Sequence, residues 1–542
     1  MTWRTWVGSR LTLAGNSSLW ITLLSSLAGM SGAVWMLCVS GPFQLPHDDP
    51  YITLEFARNM AATGRFSFDG VHLVGGATSL LHVMILAVPA RFGLPLDVAD
   101  VVLGILFFVF LIERTAAMAW RLTQSREASW YAALTTALTG YLVFDSLNGL
   151  ETTLFMCLTV TCVGAVMRSC TEGKGYVWPA FFVFLTALTR PEGMWLAVSL
   201  VIYLGLLAAR RKENLPKLAK LAGYLLAGVL LTWLAQWMVL GTLAPHTALA
   251  KVYLYNQFRL PLHTRSLIYA QKMRAIWEPL LLLLFPGLWM KKARPLAVAI
   301  LPWMLITQIM FWLLLPHEIG SYHGRYMHPL MPFLFIMAGD GLSVLLHKTG
   351  AYRIPRWSVA FCLAALAGIF YFNFISMQKH YVDDKTGIRN NHFWVVDWLK
   401  SNAPPGILVA THDIGVLRYS GHFELVDVSG LTDEEAMARN RAEHGQLEYL
   451  LARRPDYLVG DLGWFNFYLH YFPALNCCAT LVATAHPNAY ESLRLQIFRL
   501  RWDAMEKFPA RNGQANEGQR CPPSTRRPIN LSLIRAASMN PR

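Results

Sequence analysis

Charge is what this sequence has least of. Only 15% of its 542 residues are Asp, Glu, Lys or Arg, against about a quarter in a soluble domain. With 54% hydrophobic residues, the shortage excludes an ordinary soluble protein and points to a membrane. Acidic residues are scarcer than basic ones, 33 against 47, for a net charge of +14. The excess falls in short connectors such as Arg210-Arg211-Lys212 and Lys291-Lys292, which are topology determinants rather than a groove for nucleic acid. The eight cysteines have no paired spacing. Cys157, Cys162 and Cys362 lie in apolar runs, and Cys477-Cys478 makes neither a zinc signature nor a disulfide framework. A glycine-rich nucleotide loop and an internal repeat are also missing, which disfavours a nucleotide-sugar donor and a transporter built from paired halves.

What is present is a series of apolar runs. Spanning a membrane takes about 20 apolar residues. Eleven candidates follow: 19–40, 97–119, 128–147, 151–168, 176–190, 193–209, 219–240, 274–290, 295–315, 328–347 and 357–376. The first has no clean cleavage site and reads as an uncleaved span. Segment 78–92, with His82, Pro89 and Arg91, reads as an interfacial or re-entrant helix. Eleven spans with the N-terminus in the cytoplasm place the basic clusters at Arg121, Arg168, Arg210–Lys220, Lys291–Arg294 and Lys348–Arg356 inside, as the positive-inside rule asks. Asp48, Asp49, Glu151, Arg190, Glu192, His246, Lys251, Glu318, His323 and Arg325 then gather on the outer side. Ionisable groups at span ends are costly unless paired or facing a polar cavity, so a single water-accessible outer site is expected.

Beyond residue 377 the composition turns polar. Ile407–Thr411, Leu425–Val428 and Tyr457–Gly460 read as strands and Glu434–Glu443 as a helix. The expected organisation is a polytopic α-helical membrane domain over 1–377, a small α/β extracytoplasmic domain over 378–508, and a disordered polar tail over 509–542.

The first outer loop holds His47-Asp48-Asp49-Pro50-Tyr51-Ile52-Thr53-Leu54-Glu55-Phe56-Ala57-Arg58-Asn59. Asp49 before Pro50 suits a helix start, so Asp49 has capping work available. Two adjacent carboxylates at a membrane boundary repel and need compensation. Attack of a hydroxyl on an anomeric carbon needs a base as the bond forms. Asp48 is the favoured candidate, with Asp49 orienting it or holding a cation.

This segment resembles the Asp-Asp-Ala-Tyr-Ile…Arg-Tyr-Ala-Arg-Asn pattern of GT-C glycosyltransferases, especially the mycobacterial-type arabinofuranosyltransferases that use decaprenyl-phosphate sugars. Further matches follow in order. They are Gly149-Leu150-Glu151-Thr152, Leu188-Thr189-Arg190-Pro191-Glu192-Gly193, Gly241-Thr242-Leu243-Ala244-Pro245-His246-Thr247 with Lys251, and Gly324-Arg325-Tyr326. The likeness extends over roughly residues 20–430, including Val409–Gly415 and Val428–Leu431. Pro50, Glu55 and His246 depart from it, standing where alanine, arginine and asparagine are usual. The resemblance implies a GT-C fold with about 11 spans and an extracytoplasmic domain. It also implies inverting transfer of a sugar, with arabinofuranose one option, from a polyprenyl-phosphate donor to a glycan or glycoprotein acceptor. The setting would be the outer face of a bacterial inner membrane.

In that scheme the donor phosphate meets Arg325, whose guanidinium can grip it with two parallel hydrogen bonds, and then Lys251 and His323. Arg325 could instead snorkel to headgroups. Glu151, Arg190, Glu192, Arg58 and His246 are supporting candidates. Arg190 and Glu192 could simply pair across Pro191, and Glu151 could cap the helix that follows it. A divalent cation (Mg, Mn or Ca) on Asp49 stays open, since related enzymes differ. The spacing of His317, His323 and His328 fits no compact metal site. The rival function is a transporter or flippase for lipid-linked saccharides.

Overall fold

The computed structural model describes residues 16–210, 215–243, 246–256, 261–278, 281–315, 318–349, 356–442, 445–461, 465, 478–485 and 494–503. The expected tail at 509–542 and His317 lie outside them. The chain divides into two compact units. The first comprises Met1–Phe43, Ser79–Leu243 and Leu260–Val382; the second comprises Gln44–Thr78, Ala244–Arg259 and Asp383–Arg542.

The first unit is helical. Among the described residues six segments are long and apolar enough to cross a membrane: Trp20–Val39, Thr152–Glu172, Glu192–Arg210, Leu215–Leu240, Arg294–Leu314 and Gly320–His347. The helix Leu96–Thr123 has 28 residues and is about 42 Å long, but it carries Asp100, Glu113 and Arg114. Helices here meet through small residues, which lets backbones approach where burial from water gives no drive. A Cβ at Gly339 would stand 2.7 Å from the Ala128 carbonyl oxygen, and one at Gly228 would press on that of Ala180.

Expected spans 274–290 and 128–147 take other forms, while segment 78–92 is a short helix, as expected. Segment 274–290 is not one helix: Leu262–Trp277, Leu281–Leu284 and the 3-10 turn Phe285–Trp289 occupy the region. Pro286 interrupts the hydrogen-bond ladder, and His263, Arg265, Lys272 and Arg274 make the first piece polar. Segment 128–147 breaks between Arg126–Leu138 and Gly140–Asp145. At the break Thr139 is extended and the Gly140 amide donates to Asn373 Oδ1 at 2.7 Å. Leu80–Arg91 has 12 residues, about 18 Å of helix, well short of the ~30 Å core. Ser79 Oγ caps it by accepting from the His82 amide.

The second unit is α/β and draws on three stretches of chain. Its sheet contains β1 (Leu408–Thr411), β2 (Glu424–Asp427), β3 (Tyr457–Gly460), β4 (Ala479–Thr484) and β5 (Gln496–Leu500), in the order β2-β1-β3-β5-β4. β1 is parallel to both β2 and β3, with Val409 opposite Leu425 and Tyr457. β5 runs antiparallel to β3 and β4. Ala410, Val426, Leu458, Phe498, Tyr449 and Leu450 form its core. The helix expected over 434–443 ends at Arg439, because the Asn440 side chain turns to the Val428 and Ser429 carbonyls. Residues 44–78 belong to this unit and hold the helix Asp49–Thr63 and the bridge Ser67–Leu73.

Candidate functional site

In the first unit, Arg190, Glu151, Glu192 and Arg325 come together around Tyr326. Pro191 cannot continue the helix Val177–Thr189, so the chain turns there and re-enters as Glu192–Arg210. That turn places Arg190, 1% exposed, with Nη2 donating to Glu192 Oε1 at 2.7 Å and Nη1 3.6 Å from Glu151 Oε1. Its guanidinium lies over the rings of Tyr326 (4.6 Å) and Phe155 (5.4 Å). Such stacking suits a buried, weakly hydrated cation. Arg325 also lies over the Tyr326 ring, at 5.0 Å, and over the Tyr322 ring at 4.6 Å, and donates to the Tyr326 hydroxyl at 3.1 Å. Buried at 4% exposure, Arg325 does not snorkel to a headgroup. Phe155, Glu192, Trp303, Thr307 and Tyr326 line a small pocket of about 10 Å³ at this cluster.

The loop before Arg325 is strained. Tyr322, His323 and Gly324 have φ of 48°, 60° and 88°, and each non-glycine residue in that region costs roughly 1 kcal/mol or more. His328 braces it: Nδ1 lies 2.6 Å from Asp145 Oδ2 and Nε2 lies 3.2 Å from the His323 carbonyl oxygen. The His323 ring packs on His380 at 4.4 Å and Phe144 at 5.1 Å. With its imidazole stacked and its carbonyl tied, His323 helps to shape the turn that presents Arg325.

In the second unit, Asp48 precedes the helix Asp49–Thr63 without capping it. Its carboxylate instead accepts from the Gly415 amide at 2.8 Å and the Val416 amide at 2.7 Å. Position 415 must be glycine because a Cβ would run into the Asp48 carbonyl oxygen. Asp48 thus meets the first amides of the short helix Gly415–Tyr419 rather than those of the helix it precedes. Burial pushes the Asp48 carboxyl up to about 6; the neighbouring His392 charge and the two amides pull it down, while Asp413 pushes it up. Asp413 is held below the usual carboxylate range by His412 and His392 despite its burial. His392 is raised by Asp413 and Asp48 against the pull of burial.

Other candidates have structural partners. Arg58 pairs with Glu55, donates to the Tyr419 carbonyl at 3.1 Å and lies 4.9 Å over the Tyr419 ring. His246 Nε2 is 3.1 Å from the Gly430 carbonyl oxygen. Lys251 is half-buried on the helix His246–Asn256. Asp49 is half-buried at the start of its helix. Among the described residues no three His, Cys, Asp or Glu side chains are grouped to hold a metal ion, and both Asp48 oxygens already engage backbone amides. The proposed mechanism runs no step through a cation. Sequence reasoning missed His392, Asp413 and Asp145, and weighed His328 only as a metal ligand. Only the strand ending at Thr411 hinted at Asp413, since polar residues after a parallel strand often face a ligand.

Most of the chain aligns with two kinds of solved structure. One is the oligosaccharyltransferase of Archaeoglobus fulgidus in its apo form, at TM-score 0.53 and 13% identity over 84% of this chain and 71% of that one. The other is ArnT from Cupriavidus metallidurans bound to undecaprenyl phosphate, at TM-score 0.54 and 13% identity over 87% and 97%. The fold is GT-C. This chain is a multi-pass membrane protein with that fold. The arabinosyltransferase EmbB from Mycobacterium smegmatis aligns at TM-score 0.40 over 46% of its chain, too low to bear on the sugar. A family described as a domain of unknown function, DUF8728, matches residues 381–517, which overlap the sheet of this GT-C protein. No curated protein matches the sequence.

Proposed function

We propose that this chain is an inverting glycosyltransferase that moves a sugar from a polyprenyl-phosphate donor to an envelope saccharide or glycoprotein, at the outer face of a bacterial inner membrane. The observation that carries the reading is Asp48, a buried carboxylate raised to about 6 in a chain with a GT-C fold. A general base works best with a pKa near the operating pH, and an ordinary surface aspartate lies well below it. The amide bonds from Gly415 and Val416 fix the carboxylate's orientation and leave lone pairs for a further hydrogen bond.

The reaction proceeds by one displacement. The acceptor oxygen bonds to the anomeric carbon, the acceptor proton passes to Asp48, and the anomeric carbon–oxygen bond to phosphate breaks with its electron pair leaving on phosphate. Attack opposite the leaving group inverts the centre. Arg325, with Lys251 and His323 as further candidates, is assigned to the phosphate, because buried cationic N–H groups stabilise the developing charge. Arg190 is assigned to holding Glu151, Glu192 and Tyr326 in place. Arabinofuranose is the sugar favoured by the sequence resemblance.

The test is to incubate the purified full chain with a panel of polyprenyl-phosphate sugars and score free polyprenyl phosphate and glycosylated product. Turnover of at least one donor with inverted product is expected. Movement of intact lipid-linked sugar across a vesicle bilayer with no bond cleavage would overturn the reading in favour of a flippase.

A further inference from the structure

The carboxyl ends of the parallel strands carry polar groups to which the mechanism above gives no task. With the order β2-β1-β3, the chain leaves β1 toward β2 and later returns on the opposite side of β1. Loops diverge at such a switch point, and it is there that open α/β sheets bind ligands. The loop after β1 is His412-Asp413-Ile414, and its next two residues are those whose amides hold Asp48. Asp413 Oδ2 lies 3.0 Å from His392 Nε2 and 3.3 Å from His412 Nε2. His392 belongs to the π-turn Arg389–Phe393, an irregularity that recurs at functional sites because it re-aims a side chain. Its other ring nitrogen, Nδ1, is buried with no hydrogen-bond partner among the described residues.

A histidine with one nitrogen fixed by a carboxylate and the other unused is arranged to meet a substrate hydroxyl. We infer that His392, oriented by Asp413, binds a non-reacting hydroxyl of a saccharide acceptor through Nδ1 at the carboxyl edge of β1. The inference rests on the glycosyltransferase reading and supplies its acceptor side. With Nε2–H given to Asp413, Nδ1 accepts the O–H of a second hydroxyl of the acceptor and so positions the sugar; the attacking hydroxyl gives its own proton to Asp48, and the bonds made and broken are those already given.

Two substitutions separate the ring nitrogens. In His392→Gln the amide reaches the Nε2 position and leaves nothing at Nδ1, whereas His392→Asn does the reverse. Initial rates are measured on the full chain with a polyprenyl-phosphate sugar that the wild type turns over, varying donor and an oligosaccharide fraction of bacterial envelope separately. His392→Gln should raise the half-saturating acceptor level by about tenfold or more with the donor level unchanged, and His392→Asn should do so less. Asp413→Asn should fall between them. Unchanged acceptor saturation in His392→Gln, a milder effect there than in His392→Asn, or loss of the wild-type melting transition in both would overturn the inference. If the wild type turns over no donor, the glycosyltransferase reading itself has failed. Binding of the same oligosaccharide fraction to wild type and His392→Gln, followed by saturation-transfer NMR, then still decides the role of His392.

Discussion

Asp48 and Arg190 solve the same problem, a charge held out of water, in different ways. Arg190 has two carboxylates and two aromatic faces. Removing one member of a buried ion pair strands its partners, at a cost of about 3–5 kcal/mol. Arg190→Ala should therefore melt well below wild type by calorimetry in detergent, and Arg190→Lys should recover only part, since an ammonium cannot stack and fork together. Asp48 relies on two backbone amides and remains raised, from 3.8 to about 6. The base form is the deprotonated one, so kcat/KM should climb with pH through about 6 and level off above it. The stability contribution runs the other way: with the folded value above the unfolded one, it is full below about pH 4 and lost as pH rises through about 6. A rate profile flat between pH 5 and 7 would remove Asp48 from the chemistry.

At the scale of elements, the approach of the short helix Gly415–Tyr419 to Asp48 is tight enough that Gly415→Ala should cost about 1–3 kcal/mol from overpacking. It should also lower turnover more than a mutation of equal cost in the sheet core, because it displaces the Asp48 carboxylate. Thermal melts and rates on the two variants side by side check this. This approach was not legible in the sequence, since Asp48 and Gly415 are 367 positions apart and neither residue type announces the other. The turn at Arg190-Pro191-Glu192 was legible, because proline fixes where one helix stops and the ion pair is local. β1, β2 and β3 were readable as apolar runs bounded by polar residues. β4 and β5 were not: β4 is exposed along much of its length, and a strand that buries little leaves little pattern. The four leucines 281–284 suit a longer helix than the one they form, which gives way to a 3-10 turn at Phe285–Trp289.

At the scale of the molecule, composition was enough to place the chain in a membrane, and the ordered motifs were enough to anticipate the GT-C fold. The second unit could not be outlined from sequence because it is discontinuous, recruiting 44–78 and 244–259 to the carboxyl-terminal sheet. In the proposed mechanism Asp48 takes the acceptor proton while glycosyl transfer proceeds from a lipid-borne phosphate. The most direct measurement is single-turnover transfer by Asp48→Asn, with melting temperature recorded on the same sample. General-base loss predicts a rate about 10²–10⁴-fold lower with the fold retained and donor still bound. Transfer at the wild-type rate by a folded Asp48→Asn protein would contradict it.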